Sequence, residues 1–136
     1  MKLTAKPKYF ITPNWNENLK LPENERVRVE ILRPKAEDRG NLVFAETVQE
    51  IGNKSGGKDA FIKSVAIRTK FNVREILLNH VGKIENLVVE EDDKEVAICK
   101  GEDIANSTAF GLSRLIDIIC AEVTSDILTA SEKKSS

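Results

Sequence analysis

Apolar positions along this chain change rhythm several times, and each change predicts an element. From Glu25 to Arg33, Val27, Val29 and Ile31 alternate with Arg26, Arg28 and Glu30, the pattern of a half-buried strand that Pro34 closes. From Ala36, the pair Glu37-Asp38 favours a helix start, and Leu42, Val43, Ala45, Thr47, Val48 and Ile51 continue it at helical spacing. Gly40 weakens the opening turn of that helix, and Val43-Phe44 also suits a strand. Residues 61–69 read as a strand with Phe61, Val65 and Ile67 inward and Lys63 and Arg68 in water.

A helix is predicted from Val73, with Val73, Ile76, Leu77 and Val81 on its buried face and Gly82 as its stop. Asn72 stands at the N-cap position, three residues before Glu75, as a capping box requires. Ile84, Leu87, Val88 and Val89 then pair with Val96 to Cys99 in a β-hairpin around the charged tip 90–95. Last comes an amphipathic helix capped by Ser107 or Thr108. Its stripe is Leu112, Leu115, Ile116, Ile119, Val123 and Ile127, widened by Ile118, Cys120 and Leu128. The expected fold is α+β, a small antiparallel sheet with packed helices and a C-terminal amphipathic helix.

Before the first strand, Pro7, Pro13 and Pro22 keep the backbone extended, with Tyr9, Phe10, Ile11 and Trp15 as anchors. The chain therefore reads as an extended N-terminal arm (1–25), one α+β domain (26–130) and a disordered polar tail (131–136). Trp15 either pins the arm to its own domain or anchors a partner, since tryptophan is enriched at interface hot spots. The terminal stripe has the same two readings, completing the core or waiting for a partner groove. Candidate partner-binding residues are Phe10, Trp15, Leu115, Ile119, Val123 and Ile127.

At 136 residues the chain suits one domain with a usable core. No run approaches the ~18 apolar residues of a membrane helix, and the first residues lack a signal peptide's apolar core. Cys99 and Cys120 lie in apolar runs, which predicts buried free thiols rather than a disulfide. The net charge of -1 hides a division. Residues 1–70 carry 14 Lys/Arg against 9 Asp/Glu, residues 71–136 carry 7 against 13. Such asymmetry suits head-to-tail homo-oligomers or a basic partner, or is simply two solvated faces. No basic stripe is interleaved with aromatics, so no nucleic-acid partner is expected, and no membrane.

Three stretches resemble chemical motifs and each fails on its own terms. Gly52 to Lys58 has the spacing of a phosphate-binding loop, but Asp59 stands where a magnesium-holding hydroxyl belongs. Glu90-Glu91-Asp92-Asp93 lacks the alternate spacing and the glycine of a calcium loop. His80, the single histidine, falls in the last turn of its helix with no nucleophile or carboxylate at obvious spacing, so a capping or solvent-facing role is expected. No catalytic, cofactor-binding or metal-binding set is predicted.

Three blocks resemble the tail assembly chaperones of long-tailed (siphovirus-like) bacteriophages and prophages. They are Tyr9-Phe10-Ile11-Thr12-Pro13-Asn14-Trp15-Asn16-Glu17-Asn18 with Leu21-Pro22-Glu23-Asn24-Glu25, His80 to Val89, and Lys100-Gly101-Glu102-Asp103-Ile104 before an amphipathic helix. Together they cover about half the chain in order. The resemblance implies a non-enzymatic protein of the host bacterial cytoplasm, absent from the finished virion. It would keep the tape-measure protein soluble and bring tail-tube protein to it. Many such chaperones are mostly helical, so the strands expected here also fit a minor tail protein or adaptor retained in the particle. Lys133-Lys134 is compatible with a slippery A-rich heptamer, as in members made in a second, frameshifted form.

Overall fold

The computed structural model describes residues 1–3, 6–54 and 59–125, with backbone alone for 45–54 and 59–69. Four strands form the main sheet: β1 (Lys8–Ile11), β2 (Arg28–Leu32), β5 (Val81–Glu91) and β6 (Lys94–Lys100), in the order β1-β2-β5-β6. All neighbours are antiparallel. Between β2 and β5 the chain makes a separate two-stranded ribbon, β3 (Val43–Lys54) and β4 (Asp59–Phe71), then α1 (Val73–Asn79). After β6 come α2 (Gly101–Ala105) and α3 (Leu112–Val123). This is the expected α+β class with a C-terminal helix.

The alternation of β2 does what its pattern predicts. Val27, Val29 and Ile31 are buried, and they meet Ile84, Leu87 and Val89 of β5 and Leu115 and Ile119 of α3 in one core cluster. Each large side chain so removed from water contributes about 1.5–3 kcal/mol. Helix α3 spends its stripe here, with Leu112, Leu115, Ile119, Cys120 and Val123 buried. Helix α2 packs close to α1: at Gly101 a Cβ would overlap the carbonyl oxygen of Leu77, so only glycine allows this approach. Asp103 starts α2 by accepting the backbone N–H groups of Cys99 (2.9 Å) and Lys100 (3.2 Å).

The helix expected over Ala36–Ile51 is replaced by a 3₁₀ turn at Ala36–Asn41 and by strand β3. β-Branched Val43, Thr47, Val48 and Ile51 favour a pleated strand, and β4 supplies a partner along the whole length. Register runs from Val43 opposite Phe71 to Lys54 opposite Asp59, with one extra residue, Lys63, between the partners of Glu50 and Ile51. At 12 and 13 residues the strands span about 40 Å. The inward placement expected of Phe61, Val65 and Ile67 lies outside the described side chains.

Local details differ from expectation for identifiable reasons. Asn72 precedes α1 but makes no side-chain cap; its amide donates instead to the Asn41 carbonyl at 3.1 Å. Val73 is partly exposed, whereas Ile76 and Leu77 are buried. Gly82 does not stop the helix, which ends at Asn79 with His80 as C-cap. Gly82 sits within β5, where a Cβ would collide with the Glu30 carboxylate. His80 is buried rather than solvent-facing, with Nδ1 3.0 Å from the Leu32 carbonyl oxygen. Ser107 and Thr108 do not cap α3, whose N-cap is Gly111. The β5–β6 hairpin forms as expected, turning on Asp92 and Asp93, both at positive φ, as a two-residue type I′ turn demands.

The N-terminal stretch is more integrated than an arm. β1 pairs with β2 from Lys8 opposite Leu32 to Ile11 opposite Val29. Beyond it, buried Asn18 fixes the connection to β2. Its amide donates to the Pro13 and Val27 carbonyls (both 3.0 Å), and its carbonyl accepts the Val27 N–H (2.8 Å). Asn86, at positive φ where β5 bends, donates to Asn24 O (3.0 Å) and Arg26 O (2.9 Å) and ties that same connection to β5. Residues 126–136, which hold Ile127 and the expected polar tail, lie outside the described residues.

Candidate functional site

An apolar-lined concavity lies where the N-terminal connection, the outer side of β5 and the start of α3 converge. Trp15 enters it from a turn in which Asn16 and Glu17 both have positive φ, and the Asn18 N–H donates to the Trp15 carbonyl at 2.9 Å. The indole Nε1 donates to the carbonyl of Gly111 at 3.0 Å. Gly111 has φ +90°, a conformation glycine adopts without strain, and so turns that carbonyl toward the indole just before α3 begins.

On the far side, β5 alternates buried Leu87 and Val89 with exposed Val88 and Glu90. The loop between α2 and α3 is held against the β5–β6 hairpin by Glu91. Its carboxylate accepts the Ser107 hydroxyl and the Thr108 N–H (3.1 Å), and Ser107 Oγ accepts the Ala109 N–H (3.2 Å). This loop carries Phe110, which is 105% exposed, while Val88 is 55% exposed. Trp15, Val88, Phe110 and Leu112 line an open groove of about 720 Å³, with Glu90 and Arg114 at its margins. Large apolar side chains left in water around a groove are the signature of a surface that receives apolar groups.

Among the described residues predicted to bind partners, Trp15 alone lines this groove. Phe10 is half-buried on edge strand β1, with the Arg28 guanidinium 4.4 Å above its ring. Leu115 and Ile119 are fully buried and Val123 nearly so; their surface is committed to the core. Ile127 lies outside the described residues. Val88, Phe110 and Gly111 were not singled out from the sequence. A lone phenylalanine before a glycine carries no periodic signal, and Val88 is indistinguishable in the run Leu87-Val88-Val89 until the strand register is known.

A second concavity, lined by Thr12, Glu23, Asn24, Arg26 and Arg28, is polar and its arginines are engaged. Arg26 donates to the Leu21 (2.9 Å) and Leu19 (3.1 Å) carbonyls, and Arg28 pairs with Glu85 at 3.1 Å.

Titratable groups with shifted pKa lie away from the groove. Burial and a 2.7 Å hydrogen bond to Glu122 push the Tyr9 hydroxyl up to about 12. Burial, with Asp117 nearby, pushes the Cys120 thiol up to about 11, which makes it a poor nucleophile. Both cysteines are free; Cys99 is exposed, contrary to expectation, because it falls on the outer side of β6. Among the described residues, no group of three or more His, Cys, Asp or Glu could hold a metal ion. No helix is long and apolar enough to cross a membrane among those residues. The phosphate-loop look-alike begins in β3 and ends at Asp59 in β4, flanked by antiparallel strands rather than by a strand and a helix. No family model, curated protein or solved structure matches the chain.

Proposed function

We propose that this protein is a non-enzymatic assembly protein of long-tailed bacteriophages, holding an apolar segment of the tape-measure or tail-tube protein in the Trp15–Val88–Phe110 groove. The observation that carries this reading is the fully exposed Phe110 beside exposed Val88, on a loop that Glu91 fixes in place. Leaving both side chains in water is unfavourable, and covering them would return about 25 cal/mol per Å² of apolar surface. An anchored indole and a rigid loop also limit the ordering cost of binding. Glu90 and Arg114 at the margins would set the partner's register rather than most of the affinity.

The reading is tested by co-expressing a tape-measure fragment with the wild-type protein and with Val88→Asp plus Phe110→Asp. The wild type should keep the fragment soluble, and the folded double variant should not. Equal rescue by both would overturn the groove assignment.

A second reading, a minor tail protein or adaptor retained in the virion, draws support from the β3–β4 ribbon. A two-stranded ribbon of this length stands outside the main sheet, and such ribbons are marginal alone in water. A permanent neighbour would cover it. Finding the protein at stoichiometric levels in purified particles would favour this reading over the chaperone.

A further inference from the structure

Strand β5 outruns one of its two neighbours. β2 pairs with it only from Val81 to Glu85, whereas β6 pairs with it as far as Glu91. Asn86, at φ 61°, bends β5 at that point, and its amide holds the main chain of Asn24 and Arg26 where the pairing with β2 would otherwise continue. From Leu87 to Glu91, the side of β5 turned away from β6 is therefore an edge with no neighbouring strand among the described residues.

Register shows which backbone groups lie on that edge. Asp92 and Asp93 form the two-residue turn that closes Glu91 and Lys94 into a hydrogen-bonded pair. Pairs alternate from there, so Glu91, Val89 and Leu87 direct their N–H and C=O groups to β6, and Glu90 and Val88 direct theirs the other way. Outside the ladder, no hydrogen bond joins the main chain of Val88 or Glu90 to another described residue. Two donors and two acceptors thus stand unpaired in a row along the edge.

The groove runs along this edge. Successive residues of a strand face opposite sides of a sheet, so a cavity on one face meets every second residue. Here Leu87, Val88, Val89 and Glu90 line the groove in succession, which places it beside the strand. Its other wall is Trp15 and Gly111, joined by the indole hydrogen bond. An amphipathic helix seated here would satisfy its own backbone and leave the four edge groups unpaired. An extended segment uses them.

We propose that the groove binds its partner as an added β-strand, an extended apolar segment whose main chain pairs with Val88 and Glu90. This binding mode rests on the groove reading and specifies the conformation of its occupant. Backbone pairing supplies affinity, and alternate side chains of the added strand supply selectivity, entering between Trp15, Phe110 and Leu112. The partner segment should therefore carry apolar residues at every second position and no proline between them.

Amide hydrogen exchange, followed residue by residue by NMR on the full chain alone and with a soluble tape-measure fragment, tests this. In the free protein the Val88 and Glu90 amides should exchange at least about tenfold faster than those of Leu87 and Val89, which the β6 ladder holds. Saturation with the fragment should slow Val88 and Glu90 by about tenfold or more. Glu90→Pro removes one edge donor and no ladder bond, while Glu90→Ala removes the carboxylate and keeps the donor. The proline variant should bind the fragment about tenfold more weakly than the alanine variant. Unchanged protection of Leu87 and Val89 shows that the hairpin of each variant is intact; should the proline disturb it, the wild-type exchange result decides alone. Saturable binding, read by Trp15 fluorescence, without protection at Val88 and Glu90 would overturn strand addition and leave the groove reading standing. Equal affinity of two intact Glu90 variants would do the same. Absence of binding to wild type would overturn both.

Discussion

The Trp15 indole nitrogen and the Gly111 carbonyl oxygen lie 3.0 Å apart across 96 positions of sequence, joining the N-terminal connection to the start of the last helix. The bond holds the indole nitrogen at the start of α3, and Trp15 lines the groove. It depends on Gly111 at φ +90° and on the Asn18 network behind Trp15. Gly111→Ala should strain the turn by about 1 kcal/mol and change the intrinsic tryptophan fluorescence. Since Trp15 is the single tryptophan, the spectrum reads this site alone.

Asn18 is the second determinant of the groove. Removing its amide leaves the Val27 N–H and two carbonyls without their partner. Asn18→Ala should therefore destabilise the fold by about 1–3 kcal/mol in urea unfolding. It should also lower affinity for a groove ligand, because Trp15 loses its support. A variant of wild-type stability would show that water or neighbouring groups replace the network.

The terminal helix separates core from surface. Ile119→Asp with Val123→Asp puts two carboxylates into the cluster that holds Val29 and Ile31, which should cost more than about 4 kcal/mol and abolish the cooperative unfolding transition. Val88→Asp with Phe110→Asp changes exposed positions and should leave the unfolding midpoint within about 0.5 kcal/mol of wild type.

How much of this was legible beforehand follows from what each pattern depends on. The strand at Val27–Ile31 and the stripe from Leu112 to Val123 are periodic and buried on one side, so local spacing alone identifies them. The region after Ala36 reads as helix from sequence because its apolar spacing fits both periods, and the decision is made by β4, more than ten residues away. Gly82 looked like a helix stop but answers to Glu30 across the sheet. The groove was least legible: its apolar members come from three separated segments and share no spacing. Trp15 could be picked out by residue type, Phe110 and Val88 only by their exposure in the fold.

Thiol chemistry should divide the two cysteines. Exposed Cys99 should react promptly with a disulfide reagent at neutral pH. Buried Cys120, its thiol held up at about 11, should react only on unfolding. Counting fast and slow thiols in native and denatured protein checks this; two fast thiols in native protein would mean that the core opens at α3.

Alkaline stability should report Tyr9. Its folded pKa, raised from 10.0 to about 12, means that the native state holds the proton more tightly than the unfolded chain. The stability it contributes is therefore complete below about pH 10 and lost as pH rises toward 12. Across that window the urea midpoint of wild type should fall faster than that of Tyr9→Phe, which has no hydroxyl to titrate. Parallel curves would mean that the Glu122 hydrogen bond contributes nothing specific.

The proposed occupant of the Trp15–Val88–Phe110 groove is an apolar segment of a tail protein. Calorimetric titration of a soluble tape-measure fragment into wild type and into folded Val88→Asp plus Phe110→Asp tests it most directly. Saturable binding with a negative heat-capacity change is expected for wild type, and a loss of at least about 2 kcal/mol for the variant. Equal affinity for both proteins, or no binding to wild type at any ratio, would contradict it.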